Sequence, residues 1–270
     1  HDGKNDYIFY SSPLMASDLL KDILWSRAAG VVITSATIRS LNSFKNFARC
    51  SGVPEEGIYK VISSPFDYSR ANFIVPEMDS QPSDAQAHSL EIIKLLPNLL
   101  NLERASLVLF SSRRQMMDVY RGLPEDVEEE IFLQGDLSKF EMLRMHCQKI
   151  DDGKNSAIFG LTSFSEGIDL PSRYCDHVII AKIPFSVPDD PLKAALAEWI
   201  EDCGGNPFME LSVPEASLRL IQCAGRLLRN EQDTGRITLL DRRIVTRRYG
   251  RVILDSLPPF SFQFNLPQAD

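Results

Sequence analysis

Short runs of apolar, often β-branched residues recur along the chain, separated by stretches in which apolar residues return every three or four positions. The runs predict strands and the longer stretches predict amphipathic helices. The runs are nearly continuous rather than alternating, which is typical of strands covered on both faces. The predicted strands are residues 31–34, 106–110, 131–134, 157–160, 177–181 and 236–240. The predicted helices are residues 15–27, 43–51, 85–102, 113–121, 138–151, 191–203, 214–229 and 246–257.

The alternation of strands and helices predicts an α/β fold in which helices flank a parallel sheet on both faces. A polar segment at residues 79–86 interrupts the apolar pattern and indicates a boundary. We therefore divide the chain into a leading segment at residues 1–78, an α/β domain at residues 79–259 and a tail at residues 260–270. Phenylalanines alternate in the tail, which leaves an edge strand, a docking peptide or disorder open; disorder is the preferred interpretation.

Composition narrows the class of protein. Of 270 residues, 44% are hydrophobic and 24% are charged, as in ordinary globular proteins. The formal net charge is −8, yet nine arginines and no lysine lie between Arg219 and Arg251, which indicates a basic face on an acidic body. No apolar run approaches the roughly 18 residues that span a bilayer, and no secretory signal opens the chain. The five cysteines are widely spaced without a C-x-x-C pair, which predicts reduced thiols in the cytoplasm.

The candidate chemistry begins with the pattern Q-x-x-G-R-x-x-R at residues 222–229. If this segment is helical, Gln222, Arg226 and Arg229 share one face, opposite an apolar face. Two guanidiniums held in fixed register suit a phosphate. Considered alone, the segment could equally be an amphipathic helix with a solvated arginine face.

Polar turns also follow three of the predicted strands. Residues 35–37 read S-A-T, residues 111–113 read S-S-R, and residues 163–171 read S-F-S-E-G-I-D-L-P. Together with residues 64–68 (S-P-F-D-Y), residues 222–229 and residues 240–243 (L-D-R-R), the S-A-T and S-F-S-E-G-I-D-L-P segments resemble the C-terminal motor region of XPD/Rad3-like superfamily 2 helicases, in the branch that includes DinG and YoaA. The resemblance extends from about residue 30 to about residue 258.

The resemblance implies a RecA-like domain at residues 79–259 and, before it, the end of a first motor domain whose bulk lies upstream. It implies an ATP-dependent DNA helicase of repair or replication in the bacterial cytoplasm, at the nucleoid. ATP and Mg²⁺ would be bound mainly by the first motor domain, since the chain contains neither G-x-x-x-x-G-K-[ST] nor D-E-x-H. We therefore expect no ATP hydrolysis by the chain alone. An iron–sulfur cluster would belong to the full-length protein and not to this chain.

The resemblance also implies roles for individual residues. Those assigned to catalysis, as arginine fingers and their support, are Arg226, Arg229 and Gln222. Those assigned to the nucleotide are Glu166, Gly167, Asp169 and Gly225. Those assigned to single-stranded DNA are Ser111, Ser112, Arg113, Gln134, Thr162 and Ser163. Coupling between the two sites is assigned to Ser35 and Thr37.

Some interpretations stay open at this stage. A basic C-terminal helix with Arg247, Arg248 and Arg251 suggests, as the alternative function, a module that docks the helicase to the clamp-loader chi subunit or to single-strand binding protein. Phe164 and Tyr68 are base-stacking platforms or, preferably, core residues. The acidic and basic side chains at residues 241–243 form an ion-pair cluster or a phosphate contact. Two of the histidines, at positions 88 and 146, are expected at the surface.

Overall fold

The computed structural model describes residues 11–54, 56–165, 167–186 and 190–264. Its strands are β1 (Ala71–Val75), β2 (Ala105–Phe110), β3 (Ile131–Leu133), β4 (Ser156–Leu161), β5 (His177–Ile180), β6 (Gly235–Leu239) and β7 (Ser261–Phe264). They form one seven-stranded sheet in the order β3-β4-β2-β5-β6-β1-β7. Every pairing is parallel, so the predicted parallel sheet is confirmed.

Helices cover both faces of this sheet, as predicted. The α-helices are α1 (Ser17–Leu20), α2 (Lys45–Ser51), α3 (Ala85–Leu100), α4 (Arg113–Tyr120), α5 (Glu125–Glu128), α6 (Lys139–Asp151), α7 (Pro191–Asp202), α8 (Val213–Ala224), α9 (Arg243–Thr246) and α10 (Arg248–Leu254). Apolar side chains of α3 and α4 form a core with one face. Those of α6, α8 and α10 form a second core with the other face. The central strands β2, β4 and β5 are thereby almost fully buried, which is why their sequences are mostly apolar.

Side-chain caps fix where several helices begin. Backbone N–H groups in the first turns of α3, α4 and α6 donate to Asp84, Ser112 and Ser138 respectively. Such a cap contributes about 1 kcal/mol to a helix. The Ser138 hydroxyl also donates to the Glu141 carboxylate at 2.7 Å, which holds the capping side chain against the first turn of α6. The caps place the start of α4 directly after β2 and the start of α6 shortly after β3.

The prediction of a strand at residues 31–34 is wrong. In the described part of the chain this segment belongs to no helix or strand and pairs with no other backbone, and the Val32 side chain is 92% exposed. A strand needs a neighbour for its N–H and C=O groups. The apolar run also predicted burial, but residues 31–34 are all exposed, because a sequence pattern does not provide the neighbouring segment that would cover them.

The sheet reaches beyond residues 79–259 at both ends. β1 was not predicted, and it lies between β6 and β7. The expectation of disorder in the tail is wrong for β7, whose Phe262 lies 5.5 Å from the ring of Phe73 on β1; residues 265–270 lie outside the described residues. The assignment of the segment before β1 to a first motor domain stays a prediction.

The histidines are structural. His88 accepts a hydrogen bond from Gln115 Nε2 (2.9 Å) and donates to the Leu240 carbonyl (2.8 Å), which ties α3 to α4 and to the end of β6. His146 binds the Ser156 hydroxyl at 2.8 Å. Burial lowers the pKa of both side chains. The expectation that they lie at the surface is therefore wrong, since both are fully buried.

Candidate functional site

The carboxyl ends of the parallel strands bring polar residues of four strands into one row. The registers pair Phe110 with Leu161, Leu109 with Ile180, and Ile180 with Leu239. Continued past the strand ends, they place four residues side by side across the edge, in the order Thr162, Ser111, Lys182 and Asp241. In open α/β sheets this edge is where ligands bind.

Three of the predicted DNA contacts follow β2. Ser111 is half-buried in the row, and the Ser112 hydroxyl accepts from Gln115 N at 3.1 Å as the cap of α4. Arg113 is exposed, and its guanidinium lies close to the Gly135 backbone. A Cβ added to this glycine would be 3.2 Å from Arg113 Nη2. Gly135 has φ +109°, so the turn after β3 both needs glycine and leaves room for the guanidinium.

The other three predicted DNA contacts follow β3 and β4. Gln134 Oε1 accepts from Leu161 N at 2.8 Å, and Gln134 N donates to Phe159 O at 2.9 Å. Gln134 therefore holds β3 to β4. Thr162 is half-buried and Ser163 is exposed in the helical turn that follows β4. The structure brings all six predicted residues to one edge, but Ser112 and Gln134 already serve the fold.

The segment from Thr162 to Leu170 leads away from that edge. Gly167 has φ +70°, and the residue after it, Ile168, is buried in the core. Asp169 is exposed; Glu166, the other acidic residue predicted here, lies outside the described residues. The Lys139 Nζ lies 5.0 Å from the ring centroid of Phe164. It is also close to Gly167: a Cβ added to this glycine would be 3.6 Å from the Lys139 Nζ. Sequence reasoning missed Lys139, because it lies at the start of a helix outside every motif.

The two aromatic candidates pack against the core, as preferred. Phe164 is partly buried against the sheet, 2.6 Å from where a Cβ on Gly160 would lie. Tyr68 contacts the Phe260 ring edge-on at 5.3 Å. Both side chains therefore contribute to packing.

The predicted helix over residues 214–229 is wrong beyond Ala224, where α8 ends. Gly225 follows as the exposed C-cap, and the two arginines lie in the turn after it. Gln222 on α8 therefore does not share a helical face with them. The physical reason is local: glycine disfavours helix, and the Asp233 carboxylate accepts from the N–H groups of Arg229 and Asn230 at 2.8 Å each.

The two arginines converge nevertheless, through a tertiary contact. Arg226 Nη1 donates to the Ile168 carbonyl at 3.1 Å, and Arg229 Nη2 donates to the same oxygen at 2.7 Å. Arg229 Nε also lies 3.8 Å from the exposed Asp169 carboxylate. Two guanidiniums thus meet at one backbone carbonyl of the Thr162–Leu170 segment, close to Gly167.

The structure does not bring the S-A-T residues to this place. The Ser35 and Thr37 hydroxyls lie 3.5 Å apart, and Thr37 N donates to Ser35 Oγ at 3.2 Å. Among the residues described, neither side chain contacts the segment that carries Ile168 or the turn that carries the arginines. Their coupling role stays a prediction.

The two arginines that follow Asp241 after β6 form different ion pairs. Asp241 is buried, accepts from Ile183 N at 2.9 Å, and holds Arg243 through two bonds of 2.9 and 2.7 Å. Arg242 instead lies 3.3 Å from Glu77, whose side chain is largely exposed. The ion-pair alternative is therefore correct for Asp241 and Arg243.

The basic residues of the C-terminal helix are exposed. Arg247 Nη2 donates to Gln81 Oε1 at 3.2 Å, and neither Arg248 nor Arg251 forms an ion pair among the described residues. A cavity of about 500 Å³ opens beside them, lined by Arg242, Thr246, Arg251, Asp255 and Phe264 among others.

The donors present suit a phosphate rather than a whole nucleotide. Arg226, Arg229 and Lys139 supply cationic donors near Gly167, but the sequence contains no phosphate-cradling glycine loop with a lysine. Within the described ranges, no three or more side chains of His, Cys, Asp or Glu come together as metal ligands. No helix in the described part of the chain is both long and apolar enough to cross a bilayer.

Comparisons with known proteins agree with this geometry. The family of helicase C-terminal domains matches residues 96–260. An ATP-dependent DNA helicase DinG from Photobacterium profundum is 48% identical over 265 residues, which are 96% of this chain and 38% of the relative. The protein of the same name from Escherichia coli (strain K12) is 32% identical over 262 residues, which are 94% of this chain and 36% of the relative. The chain thus spans under two-fifths of the length of these relatives.

Two solved structures share the fold. One, named XPD_Helicase, has a TM-score of 0.58 at 16% identity, over 82% of this chain and 40% of the other. Another, named XPD_APO, has a TM-score of 0.56 at 19% identity, over 73% of this chain and 40% of the other. The predicted RecA-like α/β fold is confirmed. The chain therefore belongs to the family of helicase C-terminal domains.

Proposed function

We propose that this chain is the trailing motor part of an ATP-dependent DNA helicase that acts in bacterial DNA repair or replication, in the cytoplasm. The observation that carries the proposal is the convergence of Arg226 and Arg229 on the Ile168 carbonyl. The first motor domain of the same polypeptide binds most of the ATP and its Mg²⁺. This chain supplies cations to the γ-phosphate and contacts to single-stranded DNA.

The two arginines stabilise the negative charge that develops on the γ-phosphate during ATP hydrolysis. During phosphoryl transfer, negative charge spreads over the γ-phosphate oxygens, and an arginine delivered from another domain is worth about 10³–10⁵ in rate. The shared bond to the Ile168 carbonyl holds both guanidiniums in place before the nucleotide arrives, so little reorganisation is needed. Gln222 and Gly225, at the end of α8, support the turn that carries the arginines. Without the phosphate-cradling loop, the chain alone hydrolyses no ATP.

Single-stranded DNA crosses the carboxyl edge of the sheet. Ser111, Arg113, Thr162 and Ser163 offer hydroxyl and guanidinium donors to successive phosphates, which bind without reading sequence. The segment that begins at Thr162 on this edge reaches Ile168 within a few residues. It therefore joins the DNA contacts to the arginines, with Gly167 and Asp169 next to the nucleotide phosphates.

The test of this proposal is DNA-stimulated ATP hydrolysis by the full-length protein, compared with a variant that lacks the Arg226 guanidinium. The 270-residue chain serves as the second sample. Hydrolysis by the chain alone would contradict the proposal that the ATPase is completed in trans.

The leading segment carries the proposed contact with the first motor domain. Val32, Ile58 and Ile62 are 92%, 92% and 88% exposed, in two segments that form no helix and have no strand partner among the described residues. Apolar surface of this kind marks an interaction site. We propose that both segments are strands of the first motor domain's sheet, and that Ser35 and Thr37 relay between the sites once that sheet is complete.

A Val32→Cys variant tests this pairing, in a background where the exposed Cys50 and Cys203 are replaced by serine. We expect the thiol to react rapidly with a maleimide in the 270-residue chain and slowly in the full-length protein, because a paired strand buries it. Leu90→Cys, on the exposed side of α3, is the matched control and should react equally in both proteins. Equal reactivity of position 32 in both proteins would refute the pairing.

A second candidate function is docking to a replication partner, such as the clamp-loader chi subunit or single-strand binding protein. The exposed Arg247, Arg248 and Arg251 and the neighbouring 500 Å³ cavity favour it. Reversing two charges in Arg247→Glu/Arg248→Glu should abolish binding of an acidic partner at this surface, measured by calorimetry with each purified partner. Arg114→Glu, an exposed charge reversal on α4, is the control. Unchanged affinity in the double variant would remove this surface from consideration.

A further inference from the structure

Lys182 lies at the centre of the row of residues that crosses the carboxyl edge. It follows the end of β5, the strand next to β2, and the register places it beside Ser111 on one side and Asp241 on the other. Lys182 lies outside the segments that resemble helicase motifs. It stands in a largely apolar run at residues 177–185. The proposed DNA contacts on β2, β3 and β4 therefore stop one strand short of it.

Lys182 has no ion pair of its own among the described residues, and the nearby Asp241 charge that favours its ammonium is shared with Arg243. The side chain is half-buried, and within the described ranges its ammonium forms no hydrogen bond and no ion pair. The one carboxylate of the row, Asp241, is already engaged by Arg243 and by Ile183 N. Burial lowers the pKa of Lys182, and the Arg243 charge adds to the lowering. His88, the remaining titratable neighbour, is buried with a lowered pKa.

Several other partly buried cations of this acidic chain are paired. Arg219, Arg236 and Arg243 each hold a carboxylate at 3.1 Å or less. On the carboxyl edge, Arg113 is the other cation for which the described residues offer no acid partner, and it lies at the end of the adjacent strand. Lys182 and Arg113 thus lie on the same carboxyl edge of a protein of net charge −8, with Arg113 reaching toward the turn after β3 and Lys182 following β5. Cations on one edge of an acidic protein attract a polyanion to that edge.

We propose that Lys182 contacts a phosphate of single-stranded DNA and extends the DNA path from β2 onto β5. The inference rests on the proposed function, in which the DNA crosses this edge. The bound phosphate supplies the direct ion-pair partner that the half-buried ammonium lacks among the described residues. Because the contact is to a phosphate, it is independent of base sequence.

The test measures how the affinity of the full-length protein for fluorescent oligothymidylate depends on salt, without nucleotide. For single strands, the slope of log K against log salt concentration changes by about 0.7 for each phosphate contact. We expect Lys182→Gln to weaken binding and to reduce the slope by about 0.7, and Lys182→Arg to restore the slope. Lys154→Gln is the matched control: an exposed lysine before β4, at the opposite edge of the sheet, which should change nothing.

The Arg113→Gln variant distinguishes a failure of the Lys182 contact from a failure of the proposed DNA path. If it reduces the slope while Lys182→Gln does not, the inference about Lys182 is overturned and the proposed DNA path stands. If the wild-type protein shows no salt-dependent binding, the proposed function itself fails. If Lys182→Gln lowers the melting temperature, Lys182→Met, which keeps the aliphatic stem, is measured in its place. ATP affinity should be unchanged in each Lys182 variant, and a loss there would assign Lys182 to the nucleotide instead.

Discussion

Replacement of Arg226 by alanine should lower DNA-stimulated ATP hydrolysis by the full-length protein about 10²–10³-fold, or roughly 3–4 kcal/mol of barrier. The reason is that, in the proposed function, the Arg226 guanidinium meets charge that develops only in the transition state. The Ile168 carbonyl, which holds it at 3.1 Å, cannot provide a positive charge in its place. Steady-state turnover with saturating single-stranded DNA gives the rate, and separate titrations give the affinities for nucleotide and DNA.

The affinities decide how a loss of turnover is interpreted. A finger acts on the rate, so binding of DNA and nucleotide should be nearly unchanged in Arg226→Ala. Arg248→Ala removes an exposed arginine from α10 and is the control for a change of net charge. Arg226→Lys should recover little, because lysine lacks the planar fork that reaches both the carbonyl and a phosphate. Near-normal turnover in Arg226→Ala would make the turn after α8 architectural and would favour the docking function.

Replacement of Asp241 by alanine should lower the free energy of unfolding of the domain by about 3–5 kcal/mol. The change leaves the Arg243 guanidinium without its bidentate partner and the Ile183 N–H without an acceptor, both in a buried setting. Urea unfolding followed by circular dichroism measures the loss. The ends of β5 and β6 should separate first, because Asp241 joins them.

The matched control is Glu77→Ala, which removes the partner of Arg242. That pair is 3.3 Å long and largely exposed, so its loss should cost at most about 1 kcal/mol. Equal losses in the two variants would show that burial of Asp241 does not strengthen its ion pair.

The sequence predicted most of the sheet because five of its strands are buried on both faces and therefore read as apolar runs. The sequence did not predict β1, because Asn72 interrupts its apolar run. It did not predict β7, because polar residues alternate with phenylalanines there, near the end of the chain, as they do in many disordered tails. Both are secured by neighbours far away in sequence. Conversely, residues 31–34 carry a strand pattern without a strand, because a pattern does not specify a partner.

The sequence singled out several residues that the structure brings to one edge of the sheet, but it did not predict their geometry. Helical periodicity predicted that the two arginines share one helix face. In the structure they meet instead at the carbonyl of Ile168, which is far away in sequence. Lys139 and Lys182 carried no signal, because a single lysine in a helix start or an apolar run is uninformative. Only the strand register, which sequence does not give, places Lys182 beside Ser111.

The position of β1 has a mechanical consequence. This strand is where the leading segment joins the sheet, and it is hydrogen-bonded to β6 on one side and to β7 on the other. Tension that arrives through the leading segment therefore pulls along the strand axis and loads all of its bonds at once, instead of peeling them one by one. The last strand, β7, thus supports β1 on the side opposite β6, so that the joint between the leading segment and the sheet resists separation under load.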